Sequence, residues 1–413
     1  MLEKLLILVL LCLPAHAATY YVCAATGAPC NASDGNAGTN KTATWLHAPG
    51  MPAATGLAAS TTINAGDSII FRGGDTWHFN SGTPAIGGTW NFTQSGTTAN
   101  CQLNPSAGAI VTTSCIYIGV DRTWFSGASW TRPILSQDNA ITTSRPASCS
   151  FDATTFNAIT FGSANYLIFD NFEMSGACWQ GNANAAWVNA SGTMVEIANL
   201  YIHGWVYGSG STADDYAGLS GGMPKGNYIR CDHNVFDNSD GSLGTTSLGA
   251  SGFSINNTCK EISFSVFNHV SNGCICNPAS VHDNLFMFLY EPQGTQHGNI
   301  AETNTAQSVT GNLFWYNNVM HDTNEGVGWW PETVNENLYM FNNVSWLYRE
   351  TAAGVNGSDG TNCFMYDQGA SSVNLYFQNN TIDFPCTFHP ELCCAAHLFS
   401  EQSLHRLLSG DVE

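Results

Sequence analysis

The sequence predicts an all-β chain wound as a solenoid of parallel strands, and three observations carry that reading. A short segment ending in asparagine, once in serine, recurs through the second half: NYLIFDN, MVEIAN, YIRCDHN, EISFS, SVHDN, LFWYNN, LYMFNN and LYFQNN. The ladder positions so defined are Asn171, Asn199, Asn234, Ser265, Asn284, Asn318, Asn343 and Asn380. The residues after them are Phe172, Leu200, Val235, Val266, Leu285, Val319, Val344 and Thr381. Their spacings of 28, 35, 31, 19, 34, 25 and 37 residues fit one coil plus inserts of variable length. Within each segment polarity alternates with period two. In LFWYNNV, Leu313, Trp315 and Asn317 share one face and Phe314 and Tyr316 the other, the pattern of a strand. The shortest spacing leaves no room for a crossover helix, so one strand must wind directly onto the next.

Taken in chain order, residues 1–17 read as a secretory signal: Lys4, the apolar run LLILVLLCLP, and Ala15-His16-Ala17 before the cut. That run is too short to anchor in a membrane, and no later segment reaches 18 apolar residues. Residues 18–384 are the solenoid. In its coils, residues at one position stack about 4.8 Å apart. Stacked asparagines can hydrogen-bond from coil to coil and tolerate the left-handed backbone of a sharp corner. A propeller would show a steadier period near 40. From Cys386 the pattern stops. Leu398, Leu404, Leu407 and Leu408 have helical spacing, which suggests a capping helix or a non-native ending over 385–413. Cys386, His389, Cys393, Cys394 and His397 match no standard zinc spacing.

The opening coil carries its own signature: ATYYV at 18–22, SDGNAGT at 33–39 and INAGDSIIFRGG at 63–74. With the Asn ladder, these motifs make residues 18–384 resemble the right-handed parallel β-helix, or pectin-lyase-like, superfamily. A Pro-Trp pair usually follows the Asp/Gly/Asn-rich loop there, and Thr44-Trp45 is the nearest match here. The resemblance implies a secreted, bacterial-type, carbohydrate-active protein. It does not name an activity, because one fold hosts many sites.

Composition narrows the partners. The formal charge is −20, with 11 Lys plus Arg against 31 Asp plus Glu, which excludes a basic nucleic-acid surface. A polyanion such as pectate would be repelled unless calcium bridged it, and calcium is the one cofactor this reading admits. The continuous ladder argues for one elongated, monomeric body in the extracellular space or periplasm. Removing the leader takes Cys12 with it and leaves 14 of 15 cysteines, a count that suits an oxidising compartment. Cys23–Cys30, Cys101–Cys115, Cys149–Cys178 and Cys231–Cys259 are the plausible local pairs.

The densest functional stretch is 290–332, where Glu302, Asp322, Glu325 and His297 are the candidate catalytic residues. His297-Gly298-Asn299 with Glu302 resembles the H-x-N/D-x-x-E wording of some carbohydrate-active β-helix enzymes. Ile300 and Glu302 alternate with Asn299 and Ala301. An inward Ile300 would partly bury Glu302 and raise its pKa toward that of a general acid. Trp329 and Trp330 offer a stacking face for a sugar, with Asn299 and His321 as further binding candidates. A second polar column, three and four places past each ladder position, holds His203, Asp237, Asn238, Asn268, His269, His321 and Asp322. Two of its carboxylates, Asp237 and Asp322, with the neighbouring Asp240, are spaced as glycosidase carboxylates could be. Asp214-Asp215 could bind calcium or be a solvated loop.

Two functions stay open: a polysaccharide-degrading glycosidase or lyase working in a side groove, and a non-catalytic polysaccharide-binding scaffold. Non-reducing mass spectrometry of the secreted chain should find most cysteines oxidised. A majority of free thiols would contradict the compartment inferred here.

Overall fold

The computed structural model describes residues 17–93, 102–104, 109–111, 115–142, 146–150, 157–162, 164–179, 186–192, 194–207, 217–220, 229–240, 253–256, 258–270, 272–275, 280–289, 299–303, 311–323, 325–329, 334–346, 363–367, 372–382, 386–388 and 397–399, several strands by backbone alone. The strands fall into three long sheets of 12, 10 and 10 strands. Sheet 1 runs from Thr19–Val22 to His397–Phe399, sheet 2 from Thr76–His78 to Thr381–Ile382, and sheet 3 from Trp90–Asn91 to Cys386–Phe388. Each coil contributes a strand to sheet 1, turns a tight corner into sheet 2, and returns through sheet 3. Pairing within all three sheets is parallel, as in Leu167–Asp170 on Val195–Ala198. Among the described residues the antiparallel pairings are the hairpin Gln102–Asn104 with Ala109–Val111 and the isolated bridge of Asn40 with Ala43. This is a parallel β-helix.

Register explains the alternation in the sequence. The inward column of sheet 1 is Ile69, Ile118, Phe169, Ile197, Cys231, Ile262, Val281, Trp315 and Met340, and all of these are buried. Sheet 2 faces it with Trp77, Leu135, Met174, Ile202, Phe236, Phe267, Phe286 and Met320. Rings in successive coils lie flat on each other. Phe267 stacks on Phe236 at 5.1 Å and on Phe286 at 4.5 Å.

The corner between sheets 1 and 2 is where asparagine is needed. Its backbone amides are buried, and an unpaired buried N–H costs about 1–3 kcal/mol. Asn318 Oδ1 accepts the Asn284 N–H at 3.1 Å, Asn343 Oδ1 accepts that of Asn318 at 3.0 Å, and Asn380 Oδ1 that of Asn343 at 3.0 Å. The amide nitrogens donate back into carbonyls at Ile262, Val281, Trp315 and Met340. Below, Asn284 Oδ1 takes the Ser265 N–H, Ser265 Oγ that of Asn234, and Asn234 Oδ1 that of Leu200.

That last bond corrects the expected ladder. Leu200 shares a column with Asn234, and Phe172 shares it with Leu200, since Tyr201 pairs with Val235 and Glu173 with Tyr201. The ladder therefore runs Asn234, Ser265, Asn284, Asn318, Asn343, Asn380. Asn171 and Asn199 stand one residue earlier, in the left-handed position (φ 65° and 54°) that His233, Phe264, Asp283, Asn317, Asn342 and Asn379 fill in later coils.

The opening motifs are carboxylates satisfying backbone. Asp34 accepts the N–H groups of Leu46, His47 and Thr55 and faces His47 Nδ1 at 2.8 Å. Asp67 accepts those of Ala18 and Asn64, and Asp75 that of Ala24. Trp45 is buried and stacks on Tyr20 at 4.5 Å.

Cys23–Cys30, Cys149–Cys178 and Cys231–Cys259 are bonded, and Cys115 and Cys274 are also in disulfides. At the far end, Cys386–Phe388 pairs with Cys363–Asp367 and His397–Phe399 with Ser372–Gln378. Strand pairing thus passes the expected limit at 384, and Leu398 lies in a strand rather than a cap helix. Residues 400–413 are outside the described residues.

Asn318→Ala should cost about 3 kcal/mol in chemical denaturation, because both the N–H and the Nδ2 of Asn284 lose their acceptor. Asn317→Gly, one residue away at the exposed left-handed position, should change stability by less than about 1 kcal/mol.

Candidate functional site: a charged face on sheet 1

Two outward columns line sheet 1. Counting four residues back from the corner position, the first reads Ile168, Glu196, Arg230, Glu261, Ser280, Phe314, Tyr339 and Tyr376. The second, two residues back, reads Asp170, Ala198, Asp232, Ser263, His282, Tyr316, Phe341 and Gln378. Charges cluster in the middle coils and rings fill the later ones.

Arg230 is the centre of the cluster. Its Nε lies 3.4 Å from Glu261 Oε1, Nη2 3.4 Å from Asp232 Oδ2, and Nη1 3.9 Å from Glu196 Oε1. Asp232 also accepts from Ser263 Oγ at 2.8 Å and meets His233 Nδ1 at 2.9 Å. His282 bridges Glu261 (3.5 Å) and Asp283 (2.7 Å) and stacks on Tyr316 at 4.7 Å. Glu196 is 1% exposed, and its Oε2 is buried with no hydrogen-bond partner among the described residues. Burial pushes its pKa up to about 7 against the pull of Arg230, with Asp232, Asp170 and Glu261 adding to the rise. Burial pulls His282 down, but its bonds to Glu261 and Asp283 outweigh that, and the net shift is upward.

The cluster continues around the corner through Asp170. Tyr117 OH donates to its Oδ2 at 2.7 Å, and Asn199 Nδ2 to its Oδ1 at 2.7 Å. On sheet 2, His203 is held between Asp240 (Nδ1, 2.7 Å) and Glu173 (Nε2, 3.2 Å), with Tyr201 stacked on it at 4.3 Å. Burial lowers the His203 pKa, but these two carboxylates raise it further, for a net rise.

The residues singled out from the sequence lie elsewhere or only partly together. His203, Asp237, Asn268, Met287 and His321 do form one outward column of sheet 2. His321 Nδ1 is 3.0 Å from the buried Asp322 Oδ2, and Asp322 sits at a left-handed φ of 51°. Asn299 and Glu302 are in the sheet 3 strand Asn299–Thr303, and Glu325 and Trp329 in Glu325–Trp329. Register links Glu302 to the column of Asn91, Thr160 and Asn189, which is exposed or half-buried in the early coils. Glu325 pairs with Asn299, and Trp329 with Thr303, on the alternate register positions. His297, Trp330, Asp214 and Asp215 lie outside the described residues, as do His389, Cys393 and Cys394. Among the described residues no group of three His, Cys, Asp or Glu is arranged to hold a metal ion.

Glu196, Arg230, Glu261 and His282 were not singled out, although each stands inside a repeat segment. The signal is a Glu–Arg–Glu alternation at one repeat position in three consecutive coils. Misplacing the corner residue at Asn199 shifts Glu196 out of line with the other two.

No family model matches the chain, nor does any curated protein. Solved structures of similar form include a GH136 lacto-N-biosidase from Eubacterium ramulus, with 13% identity, TM-score 0.35, and 92% of this chain covered against 67% of that one. Its selenomethionine derivative gives the same values. A rhamnogalacturonan lyase gives 13% identity, TM-score 0.38, and coverage of 83% and 86%. These are likenesses of form alone. Among the described residues no helix is long and apolar enough to cross a membrane.

A raised carboxyl pKa means the folded chain holds a proton that the unfolded chain has released. Between Glu196's ordinary value of 4.5 and about 7, stability should therefore fall as pH rises. The raised His203 and His282 act in the same direction, their stabilisation being complete below about 6.5 and lost above it. Calorimetry at pH 5 and pH 8 should show a smaller fall in Tm for Glu196→Gln than for the wild type.

Proposed function

We propose that this chain is a secreted polysaccharide-acting protein that hydrolyses a neutral glycan, with the charged face of sheet 1 as its site. The observation that carries the reading is the convergence of Glu196, Asp232 and Glu261 on one guanidinium, with Glu196 in surroundings that favour its protonated form near neutrality. Glycosidic hydrolysis needs a proton donor and a second carboxylate, commonly about 5–9.5 Å apart. Contacts of 3.9 Å or less to the same guanidinium keep these three carboxylates within that order of separation. Glu196 is assigned as acid and Asp232 as its carboxylate partner, with Arg230 and His282 fixing their orientation. The carboxylate-rich face and the net charge of −20 favour a neutral sugar over a uronate.

The sheet 3 strands Asn299–Thr303 and Glu325–Trp329 are the second place, where Glu302 shares a register column with Asn91, Thr160 and Asn189. There Glu302 would be the acid, Asp322 or Glu325 its partner and His297 the orienter. Trp329 or Trp330 would supply a stacking face, with Asn299 and His321 also binding. The scaffold reading draws on the later coils, where Phe314, Tyr339 and Tyr376 stack on one another and make a rigid wall.

A panel of neutral and acidic polysaccharides decides among these. New reducing ends should appear with a neutral substrate and without unsaturated uronate. Glu196→Gln and Asp232→Asn should each lower kcat by about 10²–10⁴-fold with the β-sheet circular dichroism retained. If Glu302→Gln and Asp322→Asn abolish turnover while Glu196→Gln does not, the site belongs to sheet 3. Unsaturated product would replace hydrolase by lyase, and inactivity on every substrate would leave the scaffold.

A further inference from the structure

At one coil the corner between sheets 1 and 2 breaks its own rule twice. Among its left-handed positions, Asn171, Asn199, His233, Asp283, Asn317, Asn342 and Asn379 carry short polar or imidazole side chains, the types that tolerate positive φ. Phe264, at φ 49°, does not belong to that set. A bulky ring in this conformation is strained, and strain that persists calls for a reason. The next residue is Ser265, the one ladder position from Asn234 to Asn380 that is not asparagine. Core packing does not supply the reason, because Phe264 is 47% exposed.

The ring stands at the lip of the charged face. It stacks on the His233 imidazole at 4.9 Å, with 19° between the planes, and meets His282 edge-on at 6.0 Å. His233 reaches Asp232 at 2.9 Å, and His282 reaches Asp283 at 2.7 Å. His233 is itself 55% exposed in its side chain. With one face against His233 and 47% of the residue exposed, Phe264 is thus an accessible aromatic surface beside the His282–Asp283 pair.

We propose that Phe264, with His233 stacked behind it, is the aromatic platform of a sugar subsite beside that face. The ligand class is a neutral glycan of pyranose units. A pyranose presents an apolar face of axial C–H groups that packs on an aromatic ring, and equatorial hydroxyls that hydrogen-bond to carboxylates at the rim. Asp283, its side chain 31% exposed, stands beside the ring to receive those hydroxyls. The proposal rests on the hydrolase reading for what adjoins the subsite, but it is a statement about binding and is tested as such.

The test is affinity electrophoresis through gels containing xylan, galactomannan, galactan or mixed-linkage glucan, run with wild type, Phe264→Asn and Phe264→Trp. Asparagine is the residue this corner uses elsewhere, so Phe264→Asn should keep or raise the Tm. It should nevertheless weaken retardation at least tenfold in the gel that holds back the wild type, while Phe264→Trp retains it. Retardation undiminished in Phe264→Asn overturns the proposal, and so does a wild type that no gel retards. Failure of the hydrolase reading looks different: Glu196→Gln turns over as wild type, or nothing is hydrolysed, while the Phe264→Asn loss of retardation persists.

Discussion

The outer faces of this molecule depend on one buried interaction, the asparagine side-chain oxygen that accepts the backbone N–H of the coil beneath it. From Leu200 to Asn343 each corner N–H is answered in this way or by Ser265. Water cannot do this inside the solenoid, and the coil-to-coil backbone bonds at the corner use the carbonyls of these residues rather than their N–H groups. Because the side chain that satisfies one coil belongs to the next, the interaction fixes register as well as satisfying polar groups. A slip of one residue would turn every outward charge on sheet 1 toward the core. The Glu196–Arg230–Glu261 column is held in line by this constraint at the other end of its strands.

The charges themselves are not required for stacking. The same column holds Tyr117 and Ile168 in the coils before, and Phe314, Tyr339 and Tyr376 in the coils after. Apolar and aromatic neighbours stack there without the cost of desolvating ions, and well-packed apolar replacements of buried ion pairs are commonly neutral or stabilising. Three coils that keep an acid, a base and an acid nearly out of water therefore depart from the easiest solution. Such departures concentrate where a protein does something besides fold.

Much of the architecture was legible because its causes are local. Period-two alternation gave the strands, six of the ladder positions stood out from their flanking motifs, and short cysteine separations gave Cys23–Cys30, Cys149–Cys178 and Cys231–Cys259. The misreading at Asn171 and Asn199 has a physical source. The left-handed position and the ladder position are adjacent, and asparagine suits both, one by tolerating positive φ and the other by its paired donor and acceptor. In Asn317-Asn318 and Asn342-Asn343 both occur together, while at Asn199-Leu200 one occurs alone. The candidate site was less legible. Density of titratable residues drew attention to 290–332, whereas the charged face is built from single residues contributed by separate coils about 30 positions apart in sequence.

The corner also changes chemistry along its length. From Asn234 upward it is a chain of hydrogen bonds, but at Phe172 and Leu200 it is hydrocarbon, with Phe172 flat against Phe169 at 4.5 Å. Apolar burial loses strength on cooling, because its driving force near room temperature is the entropy of water. Hydrogen bonds within the ladder carry no such dependence. The two ends of one continuous edge are therefore fastened by forces with different responses to cold. Near freezing, the hydrocarbon end loses strength relative to the amide end, and the molecule acquires a direction along its axis that the repeating coils do not have by themselves.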